Sequence, residues 1–154
     1  MKIVMDSDVL IKITKAGSKE IIVSLLEVII PKRVHEETVI ESEDSPDART
    51  IQENVNEGKI HVSGSPGHDK GEIEVLRLYR SGGFALIVSD DKKFLNHLER
   101  SNIPYLTSSS LIVYLFYKKM LTKEDTIKYI DNLKVHISKD QYRTAVSEVL
   151  RWEK

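Results

Sequence analysis

Cysteine is absent from this sequence, so disulfide bonds and thiolate metal sites are excluded and the composition fits a reducing compartment. No apolar run approaches the roughly 18 residues that a membrane-spanning helix needs. The N-terminus also lacks the charged, apolar and small-residue order of a signal peptide. We therefore expect a cytoplasmic protein that makes no membrane contact.

An excess of one charge is also lacking, because 23 Lys and Arg residues stand against 24 Asp and Glu residues. The formal net charge of -1 excludes an overall basic field that would attract nucleic acids, so a nucleic-acid partner would have to be bound locally. Aromatic residues make up only 6% of the chain, but 40% of its 154 residues are hydrophobic, which is enough for one core. A single domain over residues 1–154 is expected.

Strand and helix patterns alternate over the first two thirds of the chain. Apolar, β-branched segments typical of strands occur at 2–5, 59–62, 84–89 and 103–106. Residues 21–28 continue a helical pattern up to Pro31, where a helix must stop or restart. The alternation predicts an α/β, three-layer fold, in which a central parallel sheet of about four to five strands carries helices on both faces.

Helices alone are predicted after the last strand. They occupy about 108–120, 123–133 and 139–152. Ser138 and Gln141 have the spacing of a capping box at the start of the third of these helices. Earlier in the chain, Ser45 and Gly58 mark the start and the end of another helix. A Gly- and Pro-rich loop is predicted at 64–71.

Acidic residues directly follow two of the predicted strands. Asp6 comes after the strand at 2–5, and Asp90 and Asp91 come at the end of the strand at 84–89. In an open parallel sheet the loops at the carboxyl ends of the strands converge, and the following helices direct their N-termini at the same crevice. We therefore expect these acids to lie where a ligand would bind.

Two pairs of acids on predicted helices are further candidates. Glu36 and Glu37 in "PKRVHEETV" both lie at helical spacing from apolar residues, so periodicity does not choose between them. In "KGEIEVLRLYR", Glu72 shares a face with the apolar residues three, four and seven positions further on. We therefore expect Glu72, rather than Glu74, to point inward.

Each acid also has an ordinary structural interpretation. Asp6 and Asp90 could cap the helices that follow them, Glu72 could favour the positive end of a helix dipole, and Glu37 could be a solvated helix residue. Together, however, four acidic positions from separate elements would repel one another, and no Arg or Lys lies beside them in the strands. A divalent cation resolves this repulsion, and oxygen ligands without Cys or a His pair favour Mg²⁺ or Mn²⁺.

Four segments of the chain together resemble one known family. They are "IVMDSDVLIKI", "IPKRVHEETV", "KGEIEVLRLYRSGGFALIVSDDKKF" and "YLTSSSLIVYLFYKKMLTKEDTIKYIDNL". In order and spacing these segments resemble a PIN-domain nuclease, the fold of VapC-type toxin ribonucleases. The resemblance to a prokaryotic subgroup implies a nuclease core at about 1–107 and a C-terminal helical extension at about 108–154.

The resemblance implies roles for individual residues. It makes the four acidic positions of the catalytic metal site Asp6, Glu37, Glu72 and the pair Asp90 and Asp91. Family members commonly carry the fourth carboxylate two residues after a small hydroxyl residue, so Ser89 favours Asp91, and both acids are kept. Asp8 stands where the family often has a small polar residue, and it either adds a ligand or caps the helix.

The implied activity is hydrolysis of RNA phosphodiester bonds with Mg²⁺ or Mn²⁺, by a homodimer. An antitoxin protein would be a partner if the protein is the toxin of a toxin–antitoxin pair. Metal ions on these carboxylates would polarise the phosphate and activate a water molecule, so no general-base side chain is needed. Cations near the strand ends that could contact RNA phosphates are Lys12, Lys15, Lys32, Arg33, Lys92 and Lys93.

Two other functions compete with this interpretation. A haloacid-dehalogenase-like phosphatase also places D-x-D after its first strand, with Asp6 as the nucleophile and Asp8 as the acid. That family usually has Thr or Val where Leu10 stands, and it leaves Glu37 and Glu72 without roles. The other alternative is a degenerate PIN fold that binds without catalysis.

Overall fold

The computed structural model describes residues 1–64 and 69–152. Within these residues the sheet has five strands, β1 (Lys2–Met5), β2 (Glu27–Pro31), β3 (Ile60–Ser63), β4 (Leu86–Val88) and β5 (Tyr105–Leu106). The α-helices of the α/β part are α1 (Ser7–Lys15), α2 (Lys19–Leu25), α3 (Lys32–His35), α4 (Pro46–Asn56), α5 (Gly71–Arg80) and α6 (Lys92–Arg100). A π-helical turn, Glu36–Ile40, continues α3. The C-terminal helices are α7 (Ser108–Tyr117), α8 (Lys123–Leu133) and α9 (Lys139–Arg151), with a 3₁₀ turn, Lys134–His136, after α8.

The sheet is entirely parallel, in the order β3-β2-β1-β4-β5. Val4 of β1 pairs with Ile29 of β2 on one side and Ile87 of β4 on the other, so β1 is the central strand. The chain runs outward from β1 to β3 and then returns to β4, which places a topological switch point between β1 and β4. Ligands bind at such switch points in α/β sheets. The predicted α/β, three-layer fold with about four to five strands is confirmed.

The strand β2 differs from the expectation. A helical pattern was expected to continue over 21–28, but α2 ends at Leu25 and residues 27–31 form a strand beside β1. Val28, Ile29 and Ile30 are buried. A short apolar run that is buried on both faces shows neither the alternation of a half-buried strand nor the spacing of an amphipathic helix, so its pattern does not distinguish a strand from a helix. Their β-branched side chains suit the strand.

The predicted helix ends are found where the sequence placed them. The Ser45 hydroxyl accepts a hydrogen bond from the Ala48 backbone N–H at 3.0 Å, and Gly58 follows α4 with φ of +75°. Ser138 and Gln141 form the expected capping box of α9. Thr107 caps α7 and forms a capping box with Ser110. Residues 65–68 of the predicted loop lie outside the described residues.

The C-terminal helices share the core of the α/β part. Leu111 and Leu115 of α7, Ile130 of α8 and Val149 of α9 are fully buried in the same apolar cluster as the strands. Among the described residues, no helix combines the length and the apolarity that crossing a membrane requires. The three helices are therefore packed onto the sheet region and form one core with it.

Candidate functional site

A pocket of about 640 Å³ opens at the carboxyl ends of β1 and β4. We call it the acidic pocket. It is lined by Asp6, Ser7, Asp8, Arg33, Glu37, Lys70, Gly71, Glu72, Asp90 and Asp91. The fold thus brings the five acids predicted as ligands to one place, from the ends of two strands, the π-helical turn and the start of α5.

Asp6 is buried at the acidic pocket, with only 6% of its surface exposed. It caps α1 through Oδ1, which accepts a hydrogen bond from the Val9 backbone N–H at 3.0 Å, and its Oδ2 accepts one from the Ser89 hydroxyl. Burial raises the pKa of Asp6 to about 7, against the lowering effect of these two hydrogen bonds. The negative charges of Asp8 and Asp90 raise this pKa further.

Glu37 reaches the acidic pocket from the π-helical turn. Its Oε1 accepts a hydrogen bond from the Ser7 hydroxyl at 3.2 Å and lies 3.9 Å from Arg33 Nε. A Cβ atom at Gly71 would collide with this oxygen, so any larger residue at the start of α5 would displace the Glu37 carboxylate. Glu36, the alternative that periodicity left open, lies outside the pocket lining and pairs with Arg33 Nη1 at 3.1 Å.

Glu72 and Asp91 face each other across the acidic pocket. Asp91 caps α6 by accepting a hydrogen bond from the Phe94 backbone N–H at 2.8 Å. Burial raises the pKa of Glu72, and the charge of Asp91 and a hydrogen bond between the two side chains raise it further. The negative charge of Asp91 therefore opposes ionisation of Glu72.

The expectation that Glu72 is the inward-pointing glutamate of α5 is wrong. Glu74 is the buried one, at 5% exposure, and it pairs with Arg77. Glu74 lines a different cavity, together with Pro31 and Ser63. Glu72 is an exposed residue in the first turn of α5, where the pocket wall lies open to solvent.

Asp90 is held by three other elements of the chain. Its Oδ1 accepts a hydrogen bond from the Ser108 backbone N–H at 2.8 Å, and its Oδ2 accepts one from the Ser108 hydroxyl at 2.7 Å. Lys12 Nζ lies 3.1 Å from Oδ2, and Gln141 Nε2 lies 3.5 Å from Oδ1. Only 1% of the Asp90 side chain is exposed.

Cations do lie beside the acids, contrary to the expectation drawn from the strands. Lys12 of α1 contacts Asp8 at 2.9 Å as well as Asp90, and its pKa is raised because these two charges and hydrogen bonds outweigh its burial. Arg33 pairs with Glu36, Glu37 and, at 3.5 Å, Glu41. The neutralising residues lie on neighbouring helices and not in the strands. Of the six cations predicted to contact RNA, three are therefore engaged with acids, since Lys15 also pairs with Asp47 at 3.7 Å.

The donors of the acidic pocket fit a hard divalent cation by their chemistry. Carboxylate oxygens are the ligands that Mg²⁺ and Mn²⁺ prefer, and the raised pKa values of Asp6 and Glu72 reflect burial and charge repulsion that a cation would offset. Within residues 1–64 and 69–152, however, no three His, Asp or Glu side chains are already arranged to hold a metal ion. Asp6, Glu37 and Asp90 are instead bonded to hydroxyls, backbone amides and cations, so metal binding requires side-chain rotation.

Two supporting residues of the acidic pocket were not predicted. Ser7 bonds Glu37, and Gly71 leaves room for it. Both stand next to predicted acids in the sequence, in "DSD" and "KGE". Their position beside an acid was the one signal available, because both contacts are made to a residue of another element.

A comparison with models of protein families finds one match, to a model described as a PIN domain, over residues 2–151. No match is found among curated proteins or among solved structures. The matched range includes every strand of the sheet, the acidic pocket and all three C-terminal helices.

Proposed function

Because the chain belongs to the PIN-domain family, whose members are generally nucleases, we propose that it is a metal-dependent endoribonuclease that hydrolyses RNA phosphodiester bonds. The observation that supports this proposal most is that acids from four separate segments line one pocket at the switch point of the sheet. The resemblance drawn from four sequence segments is confirmed at the level of the PIN-domain family. No observation favours the phosphatase alternative.

The proposed ligands are Asp6, Glu37, Glu72 and Asp91, whose carboxylates line the acidic pocket. A Mg²⁺ or Mn²⁺ ion bound there would offset the charge of the scissile phosphate and lower the pKa of a bound water molecule. Ser89 and the Val9 backbone N–H hold the carboxylate of Asp6 in place, and Ser7 holds that of Glu37.

The rim of the acidic pocket supplies contacts for the RNA backbone. Lys70 and Arg33 line the pocket, and Lys92 and Lys93 are exposed at the start of α6, directly after Asp91. Lysine and arginine bind phosphates without reading sequence, so this arrangement orients the strand and leaves the choice of cleavage site to other contacts. The balanced charge of the whole chain is consistent with such a local binding surface.

Two finer features of the proposal rest on the family resemblance. We propose that the protein acts as a homodimer, which light scattering of the purified protein measures directly. For the role of a toxin we propose an antitoxin protein as the partner. Co-expression with the product of a neighbouring small gene should then suppress the growth inhibition that the protein causes alone.

Cleavage of labelled RNA tests the proposed activity. Wild type should cleave with Mg²⁺ or Mn²⁺ and lose all cleavage in excess chelator, because the acids alone repel the phosphate. Asp6→Asn should lower the cleavage rate by about 100-fold or more, as expected when an enzyme loses a direct ligand of its catalytic metal ion. The matched control is Asp44→Asn, which removes the same charge from an exposed position outside the pocket and should cleave like wild type.

Two results would contradict the proposal. Cleavage that persists in chelator, or that is equal in wild type and Asp6→Asn, would exclude metal-dependent catalysis in the acidic pocket. RNA binding by wild type without cleavage under any metal condition would support the non-catalytic binding module instead.

A further inference from the structure

We infer that Asp90 is a positioning residue rather than a metal ligand: its carboxylate joins α1, α7 and α9 to the carboxyl end of β4 and thereby directs Asp91 into the acidic pocket. This inference rests on the proposed function, because it concerns which of two adjacent acids holds the cation. It also assigns the C-terminal helices a part in building the site.

The hydrogen bonds of Asp90 leave its carboxylate little capacity for a cation. A carboxylate has about four acceptor positions. Three are taken by the Ser108 N–H at 2.8 Å, the Ser108 hydroxyl at 2.7 Å and Lys12 Nζ at 3.1 Å, and the amide of Gln141 at 3.5 Å is the weakest partner. Because the side chain is only 1% exposed, a cation could replace these partners only by separating α7 from β4.

The two adjacent acids both line the acidic pocket, but they bond to different elements. Successive side chains alternate in extended backbone, which the chain retains as it leaves β4, since Asp91 has φ of -73° and ψ of 113°. The side chain of Asp90 lies against α7, while that of Asp91 accepts from the Phe94 backbone N–H at the start of α6 and raises the pKa of Glu72 through its charge. Fixing Asp90 therefore fixes the direction in which Asp91 points.

The residue before this pair connects the same segment to the first acid. The Ser89 hydroxyl donates to Asp6 and accepts a hydrogen bond from the Asp91 backbone N–H at 3.2 Å. Ser89 thus bonds to Asp6, Asp90 to the C-terminal helices and Asp91 to the start of α6. A displacement of Asp90 from Ser108 would move Asp91 and Ser89 together, and so change two sides of the acidic pocket.

Calorimetric titration with Mn²⁺ distinguishes a residue that binds the metal ion from a residue that only positions another ligand. Asp91→Asn should raise the Kd for Mn²⁺ by at least about tenfold, as expected for loss of a carboxylate ligand. Asp90→Asn should keep the Kd within about threefold of wild type, because an asparagine oxygen still accepts from the Ser108 N–H and its amide can donate to the Ser108 hydroxyl. Asp140→Asn, which removes a charge from an exposed position of α9 beside Gln141, is the control.

Hydrogen exchange supplies a readout that does not need the metal. Asp90→Ala, which removes every acceptor, should increase amide exchange in the first turn of α7 and lower the melting temperature by at least about 3 °C, whereas Asp91→Ala should leave exchange in α7 unchanged. If Asp90→Ala does not fold, Ser108→Ala, which keeps the carboxylate, should give the same local increase in exchange.

The inference is overturned if Asp90→Asn weakens Mn²⁺ binding as much as Asp91→Asn does. It is equally overturned if neither Asp90→Ala nor Ser108→Ala changes exchange in α7. Failure of wild type to bind Mn²⁺ would instead overturn the proposed function, and the exchange measurements would still decide whether Asp90 holds the C-terminal helices.

Discussion

At the scale of single residues, Asp6 connects the acidic pocket to the stability of the fold. Burial raises its pKa to about 7 in the folded protein, whereas an unfolded Asp titrates near about 3.9. Between these two pH values the folded state binds more protons than the unfolded state, so the free energy of unfolding falls as pH rises. The contribution of Asp6 is therefore fully present below about pH 4 and lost above about pH 7.

We predict that metal-free wild type loses more stability between pH 5 and pH 8 than Asp6→Asn does. The difference should be on the order of a few kcal/mol, because three units of pKa correspond to about 4 kcal/mol at most. Urea unfolding of both proteins in chelator at the two pH values measures it. The same pH dependence in both proteins would show that Asp6 is not the titrating group.

Proton competition should also appear in metal binding. The proton held by Asp6 must leave when a cation binds, since carboxylates coordinate metals in their ionised form, and the raised pKa of Glu72 adds to this competition. We predict that the affinity for Mn²⁺ rises from pH 6 to pH 8, by up to about tenfold per pH unit for each proton displaced. Calorimetry at pH 6, 7 and 8 checks this, and a pH-independent Kd would contradict it.

At the scale of secondary-structure elements, the start of α5 is shaped by the acid that lies beside it. We predict that Gly71→Ala lowers RNA cleavage at least about tenfold, because the added Cβ displaces the Glu37 carboxylate, while the melting temperature stays within about 2 °C of wild type. A flexible side-chain end can move aside, so the fold itself has no reason to weaken. Cleavage rates and thermal melts of the variant measure the two effects.

Gly58→Ala provides the opposite control. Gly58 ends α4 with φ of +75°, has open space around its Cβ position and lies outside the acidic pocket. Alanine there should destabilise the fold by about 1 kcal/mol and leave specific activity unchanged. If both glycine variants lose stability and activity in parallel, the steric role of Gly71 is not supported.

The strands and helices that carry the site residues explain which of these residues could be predicted from the sequence. The sequence predicts Asp6, Asp90 and Asp91 at the carboxyl ends of strands, and they lie there. The prediction was possible because the carboxyl ends of parallel strands all lie at the same edge of a sheet. Helical periodicity could not distinguish Glu37 from Glu36 as the pocket residue, because a π-helical turn over Glu36–Ile40 breaks the spacing on which periodicity depends.

Interactions between distant segments account for what the sequence did not predict. β2 is an apolar run without alternation, and its identity as a strand follows from pairing with β1 and β3. Glu74 lies on the buried face of α5 with Val75 and Leu78, where it pairs with Arg77 and lines the cavity beside Pro31 and Ser63. The pairing of β2 and the cavity beside Glu74 involve distant segments, and no local pattern marks such contacts.

At the scale of the whole molecule, the C-terminal helices and the sheet region should unfold together. α7 contributes fully buried side chains such as Leu111 and Leu115 to the common core, and its first residue holds Asp90. We predict that a chain of residues 1–107 lacks a cooperative thermal transition in circular dichroism, because removing α7 to α9 exposes this core surface to water. Cooperative melting and RNA cleavage by the shortened chain would contradict this prediction and support an independent nuclease core.

The central claim, that the acidic pocket is a divalent-metal centre, is tested most directly by Mn²⁺-induced broadening of backbone amide signals in NMR spectra. At substoichiometric Mn²⁺, the signals of residues 6–8, 37, 71–72 and 89–91 should broaden first, because these residues line the pocket. In Asp6→Asn the same signals should require a higher Mn²⁺ concentration to broaden. Broadening that begins elsewhere on the protein, or that is identical in wild type and Asp6→Asn, would contradict the claim.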